Sequence, residues 1–259
     1  MSTPDADGQP APDGPAEDGP GTGPLNTVRG LLAAATQRLL GDTITLDDDG
    51  WRAPSRLPGW SRGHVASHLA RNAEGMTRLA TWARTGERQE MYPSREQRDA
   101  DINAGAGRSG LDLQVDLDTT AGALDAALAA LADADRWDAA IEIRGEPQPA
   151  RLLPLLRLSE VALHHVDLDV GTELADLDPE LVGWLLELVA VRLHNREDYP
   201  ALELRTDAGH HAVLGRPDAT PTVVGGPDAA VLGRLTGRTT AGSADGVSGL
   251  DGIELPAFA

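Results

Sequence analysis

The chain has 259 residues, 41% of them hydrophobic but only 3% aromatic, so it can bury substantial cores and must build them from Leu, Val and Ala. Its formal net charge of −19 excludes the clustered basic surface that nucleic acid or an anionic membrane requires, and it obliges any anionic ligand to find a local cation. Cysteine is absent, which removes disulfides, thiolate metal ligands and cysteine nucleophiles, so any thiol chemistry must use a thiol carried in by a small molecule.

Met1 through Gly23 contains Pro, Gly, Ala and Asp but no large apolar residue beyond Met1, a composition that predicts a disordered acidic tail. Leu25, Val28, Leu31, Leu32, Ala35 and Leu39 then recur at helical spacing up to Gly41. Asp42 to Pro58 reads as a connection with one short helical turn, and Ser61 as the N-cap of a helix from about Arg62 to Arg84 that Gly86 ends. Glu87 to Arg108 has almost no periodic apolar positions and is expected to be an extended entry followed by a polar, exposed helix or loop. Leu113, Leu117, Ala121, Leu124, Leu128 and Leu131 define a third main helix over Leu111 to Ala134, and Ile141 and Ile143 alternate in a short excursion between helices. A fourth main helix opens at Pro149 or Pro154 and is expected to end near Gly171.

The remainder changes character. Pro179 to Leu193 is an amphipathic helix; Leu202–Thr206 and Ala212–Leu214 alternate like hairpin strands; Thr222–Gly225 is a third strand; and Asp228 to Gly237 is a last helix before a Gly-rich ending. The chain is therefore expected to be α+β. A tail over 1–23 precedes an antiparallel four-helix bundle over 24–172 and a small C-terminal α/β domain over 173–259. Gly242 to Gly246 reads as a flexible loop without the strand-to-helix setting of a nucleophile elbow. No apolar run of eighteen residues and no basic start followed by an apolar block occurs, so a cytoplasmic protein without a membrane span or secretory signal is expected.

One stretch, Arg157 to Leu168, carries chemistry. Glu160 and His164 stand four residues apart, which places them one above the other on a helix face. A metal site in a helical bundle takes its further ligands from a facing helix, and His64 and His68 offer them from the helix that begins at Arg62. Two imidazoles and a carboxylate suit zinc or another divalent metal and leave coordination positions open. His165 is rotated about 100° from His164 and points to an outer-shell or surface role. Asp167 is placed to accept a hydrogen bond from a ligand imidazole, and Trp60 to anchor its loop into the bundle or line a pocket.

These residues resemble a known family. Leu57-Pro58-Gly59-Trp60-Ser61-Arg62-Gly63-His64 through His68-Leu69-Ala70-Arg71-Asn72, then Met91-Tyr92-Pro93-Ser94, Ser159-Glu160-Val161 with His164 and Val166-Asp167-Leu168, and Gly237-Arg238 before Asp245-Gly246-Val247 occur in the order found in the mycothiol-dependent maleylpyruvate isomerases. The resemblance covers about residues 25 to 255. It implies a DinB-like metal-binding bundle with a small α/β domain behind it, zinc ligands at His68, Glu160 and His164 rather than His64, and an arginine needed for activity at Arg238. It further implies mycothiol as the small-molecule thiol and a dicarboxylate substrate: a thiolate adds to the double bond of maleylpyruvate, the bond rotates, and elimination leaves fumarylpyruvate. Two alternatives share these residues, a mycothiol S-transferase acting on another electrophile and a non-catalytic metal-stabilised binding module.

Overall fold

The computed structural model describes residues 22–143, 145–239 and 245–258. The acidic tail, up to residue 21, and residues 242–244 of the Gly-rich loop lie outside them. Four long helices, α1 (Thr22–Thr43), α3 (Arg62–Thr85), α5 (Gly110–Asp133) and α6 (Leu153–Asp167), close into a ring in which α1 packs on α5 and α6, and α3 packs on the same two. Leu32, Leu69, Leu124 and Leu158, one from each, are buried in a common cluster, and each such side chain contributes about 1.5–3 kcal/mol. The expected short turn is α2 (Asp48–Arg52), capped by Asp47, whose carboxylate accepts from the Gly50 amide at 2.8 Å. Ser61 caps α3 as expected, and Gly86, at φ 80°, ends it.

The polar stretch forms α4 (Arg95–Ala106), with Ser94 as its cap. It lies close against α3 because both partners are small where they meet. A Cβ on Gly63 would stand 2.5 Å from the Ala106 carbonyl oxygen, and one on Gly105 would stand 2.2 Å from Ser67 Oγ. The excursion between helices is an antiparallel hairpin, β1 (Ala140–Ile143) and β2 (Glu146–Pro149), with Ile141 buried against the bundle.

The expected fourth helix differs at its end. Helix α6 stops at Asp167 instead of Gly171: Asp169 turns left-handed at φ 55°, the Asp167 carbonyl accepts from the Arg56 amide at 2.8 Å, and Arg62 holds the two carbonyls just beyond, with Nε donating to Leu168 O at 2.6 Å and Nη2 to Asp169 O at 2.7 Å. A cation at a helix C-terminus also complements the helix dipole.

Beyond α6, α7 (Pro179–Leu193) packs on α1 and α6 and extends the same buried cluster. Strands β3 (Leu202–Thr206), β4 (His211–Leu214) and β5 (Thr222–Gly226) form a sheet in the order β4-β3-β5, antiparallel at β3–β4 and parallel at β3–β5. Helix α8 (Asp228–Leu235) is two residues shorter than the expected Asp228 to Gly237, since Gly237 adopts φ 73° and reverses the chain. The Arg238 amide then returns to Gly233 O at 2.8 Å, a closure that glycine favours at this position. This turn aims Arg238 back at α6.

The α3–α4 contact yields a stability test. Gly63→Ala should destabilise the protein by about 1–2 kcal/mol, because overpacking outweighs alanine's helix propensity. At Gly122, mid-α5, an added methyl would meet nothing within 4 Å, and alanine there should stabilise instead, by about 0.5–1 kcal/mol. Denaturant unfolding of the two variants checks both signs, and equal effects would contradict the close approach of α3 to α4.

Candidate metal centre

Packing of α3 on α6 brings His68, Glu160 and His164 together, with one candidate ligand atom from each within 4.8 Å of the others. Both imidazoles converge on one oxygen: His68 Nε2 lies 2.9 Å and His164 Nε2 3.5 Å from Glu160 Oε2. The two rings meet edge to face at 4.7 Å between centroids, and Trp60 covers His68 at 5.7 Å. Of the two roles expected of it, Trp60 takes the anchoring one, packed against the core, and is not among the residues that line the cavity.

The outer nitrogens differ. His164 Nδ1 is 2.8 Å from Asp167 Oδ2, the hydrogen bond anticipated for Asp167, and that same oxygen accepts from Arg238 Nη2 at 2.6 Å. His68 Nδ1 instead lies 3.2 Å from Arg98 Nη2 on α4. Neither of the two neighbouring histidines joins the cluster. His64 turns back to its own helix cap, with Nδ1 2.7 Å from Ser61 Oγ, and His165 is buried rather than on the surface, 3.0 Å from Asp42 Oδ2, where it ties α6 to α1.

The electrostatics follow from burial set against neighbours. Burial raises the Glu160 carboxyl, but hydrogen bonds from His164 and His68 prevail and hold it well below the ordinary carboxylate range. Burial lowers both imidazoles. In His68 burial wins, whereas in His164 the hydrogen bonds to Asp167 and Glu160 overcome it and the ring titrates above 6.5. The two rings are thus shifted in opposite directions, His164 toward its protonated form and His68 toward its neutral one.

Residues 32–169 match the family model described as the mycothiol maleylpyruvate isomerase N-terminal domain. The chain belongs to this family. Two solved structures are similar over nearly their whole length: crystal structures of the mycothiol-dependent maleylpyruvate isomerase and of a histidine-to-alanine mutant of it, at 26% and 25% identity. Each has a TM-score of 0.81 and covers 91% of this chain and 97% of the other. No curated protein matches the chain.

In this member of the mycothiol maleylpyruvate isomerase family the cluster opens onto a cavity of about 800 Å³. Its wall carries four arginines, Arg95 and Arg98 from α4, Arg192 from α7 and Arg238 from the turn after α8. Only Arg238 is foreseeable from sequence. Arg95 and Arg98 sit in a helix whose polarity reads as simple exposure, and Arg192 in an amphipathic helix whose last-turn cation reads as dipole compensation. A further residue escapes notice: Arg157, buried, donates from Nη1 to Leu69 O and Asn72 Oδ1, each at 2.8 Å, and burial pushes it down to about 10. It clamps α6 to α3 one turn before Glu160. The period-3.6 pattern around it would have revealed a cation on an apolar face, the one signal available.

Asp167 couples His164 to Arg238, and its titration is a measure of that coupling. Burial raises its carboxyl, but His164 and Arg238 outweigh burial and hold it below 3.8. Its stabilisation is therefore complete above 3.8 and lost as pH falls through the lower folded value. Asp167→Asn should cost about 3 kcal/mol at pH 7, as removal of one buried ionic partner does, and less at about pH 3. Denaturant midpoints at the two pH values decide it; an equal loss at both would show that the charge is immaterial.

Proposed function

We propose that this protein is a zinc- and mycothiol-dependent isomerase that converts maleylpyruvate into fumarylpyruvate, acting in the cytoplasm, where small thiols stay reduced. The observation that carries this reading is the convergence of His68, Glu160 and His164 on the wall of a cavity that Arg238 also lines. Family membership and the likeness to crystal structures of a mycothiol-dependent maleylpyruvate isomerase support it.

The residues fit the metal. His68 Nε2, Glu160 Oε2 and His164 Nε2 would hold it, two imidazoles and a carboxylate being a usual catalytic zinc set. Asp167 fixes the His164 ring so that Nε2 is the nitrogen offered, as outer carboxylates do at zinc histidines. Zinc bound there supplies a thiol held as thiolate near neutral pH. In the proposed reaction sulfur bonds to one carbon of the cis double bond while the π electrons move toward the conjugated carbonyl. The former double bond rotates, the C–S bond breaks, and the trans isomer leaves with the thiol regenerated and nothing oxidised.

The chain's own contribution is charge and confinement. A dianion entering a protein of net charge −19 needs fixed cations. Arg238 is held by three hydrogen bonds, to Leu163 O, Thr236 O and Asp167 Oδ2. A guanidinium has five N–H donors, so a substrate carboxylate could be offered donors beyond these three. The 800 Å³ volume accommodates a thiol of substantial size beside a small dicarboxylate.

Turnover of maleylpyruvate by the purified protein with zinc and mycothiol, followed as loss of the cis isomer, tests the proposal. His68→Ala should lose zinc and turnover together. Arg238→Lys should keep its zinc yet lose about 1.5–3 kcal/mol of transition-state binding, roughly 10- to 150-fold in kcat/KM. Stable thiol adducts with other electrophiles and no isomerisation would move the activity to a thiol transferase.

The proton on His164 sets the pH dependence of metal binding. Zinc must displace it, so affinity should fall with pH from above 6.5, the direction in which His164 is shifted, rather than from below it as His68 alone would dictate. Chelator competition between about pH 8 and pH 6 reads this; an affinity that stays level until well below 6.5 would place the proton elsewhere.

A further inference from the structure

The two cluster histidines present opposite partners to their outer nitrogens. His164 Nδ1 faces the Asp167 carboxylate, an acceptor, at 2.8 Å, while His68 Nδ1 faces the Arg98 guanidinium at 3.2 Å. A guanidinium only donates. The contact is therefore a hydrogen bond when His68 Nδ1 is bare and its proton sits on Nε2, directed at Glu160 Oε2 2.9 Å away. A histidine that gives its Nε2 lone pair to a metal carries its proton on Nδ1, and that N–H is ordinarily donated to a carboxylate, a carbonyl or water. Two donors would then face each other across 3.2 Å, and the Arg98 bond to His68 cannot persist.

Arg98 has somewhere to go. It belongs to α4, lies half-buried on the cavity wall, pairs with the exposed Asp99 at 2.7 Å, and sits 5.7 Å from the centroid of the Tyr92 ring, which lines the same cavity. A long arginine stem can release one hydrogen bond and keep its stacking on an aromatic face. Arg238 stands on the His164 side of the cluster through Asp167, and Arg98 stands on the His68 side.

We propose that Arg98 is a two-position residue: it occupies His68 Nδ1 while the metal site is empty and, once His68 binds metal through Nε2, turns into the cavity to hold the second carboxylate of a dianionic substrate across from Arg238. This rests on the zinc and dicarboxylate reading given above. Arg98 is in this sense both a latch on metal entry and a substrate-holding residue. Metal loading and substrate binding are thereby linked through a single side chain.

Two equilibrium measurements test it without reference to turnover. Zinc affinity is measured by competition with a chromophoric chelator for the wild type, Arg98→Met and Arg95→Met. Arg95 lines the same cavity from an exposed position one turn earlier on α4, so its variant reports the effect of removing a cavity cation without the His68 contact. Arg98→Met should bind zinc about tenfold more tightly than wild type, the size of effect outer partners of zinc ligands exert, and Arg95→Met should stay within about twofold. Calorimetric titration of the zinc-loaded proteins with maleate, a stable cis-dicarboxylate, should show Arg98→Met binding it at least about tenfold more weakly. Arg98→Gln, which keeps polarity at the position, is expected to follow the methionine variant and replaces it if that variant misfolds. Equal zinc affinity in wild type and Arg98→Met, equal tightening by Arg95→Met, or unchanged maleate binding would each overturn the proposal. Failure of the wild type itself to bind zinc would remove the metal reading, and this proposal with it.

Discussion

A single carboxylate oxygen, Glu160 Oε2, is the point on which the structure around the cavity depends. Two imidazoles from different helices are drawn to it, and a buried anion with fewer partners would take a proton instead of staying charged. Its surroundings are arranged in tiers. Arg157 sits one turn earlier on α6 and pins α3 through Leu69 O and Asn72 Oδ1, His68 and His164 stand beside the carboxylate, and Asp167 and Arg238 support His164 from behind. Each tier fixes the next, so the register of α3 against α6 and the position of the site are one constraint.

The same constraint explains features that have nothing to do with apolar packing. The carbonyls just past the end of α6 are held by Arg62, the first residue of α3, the helix that carries His68. Gly237 turns Arg238 toward Asp167, so the segment after α8 contributes to a site otherwise built by the bundle. In a chain with a formal charge of −19, the cavity wall sets four arginines beside three glutamates, Glu90, Glu142 and Glu160.

Much of this was legible in the sequence for reasons that can be stated. Helices α3, α5 and α7 follow from apolar residues at period 3.6 and from local caps, and Ser61, Gly86 and Pro179 act at the expected places because capping is decided within one turn. Glu160 and His164 were legible as a pair since helical spacing alone brings them together, whereas the choice of His68 over His64 came from family resemblance and has its geometric reason only in the fold: His64 is consumed by the Ser61 cap. The end of α6 falls four residues before the expected one because the carbonyls at and just past it are held by Arg56 and Arg62, more than a hundred positions away. Arg98 and Arg157 were passed over for a related reason. A polar helix and a charged residue in an apolar helix each have a solvent-facing interpretation, and only tertiary contacts reveal that one arginine reaches His68 and the other is buried.

In the function proposed above, His68, Glu160 and His164 hold a zinc that binds a thiol. Zinc-edge X-ray absorption on the zinc-loaded protein, before and after adding mycothiol, tests it most directly. Before addition the zinc should show a light-atom shell with the multiple-scattering signature of two imidazoles, and afterwards a new sulfur neighbour at about 2.3 Å. A shell without imidazole scattering, or one that acquires no sulfur, would contradict it.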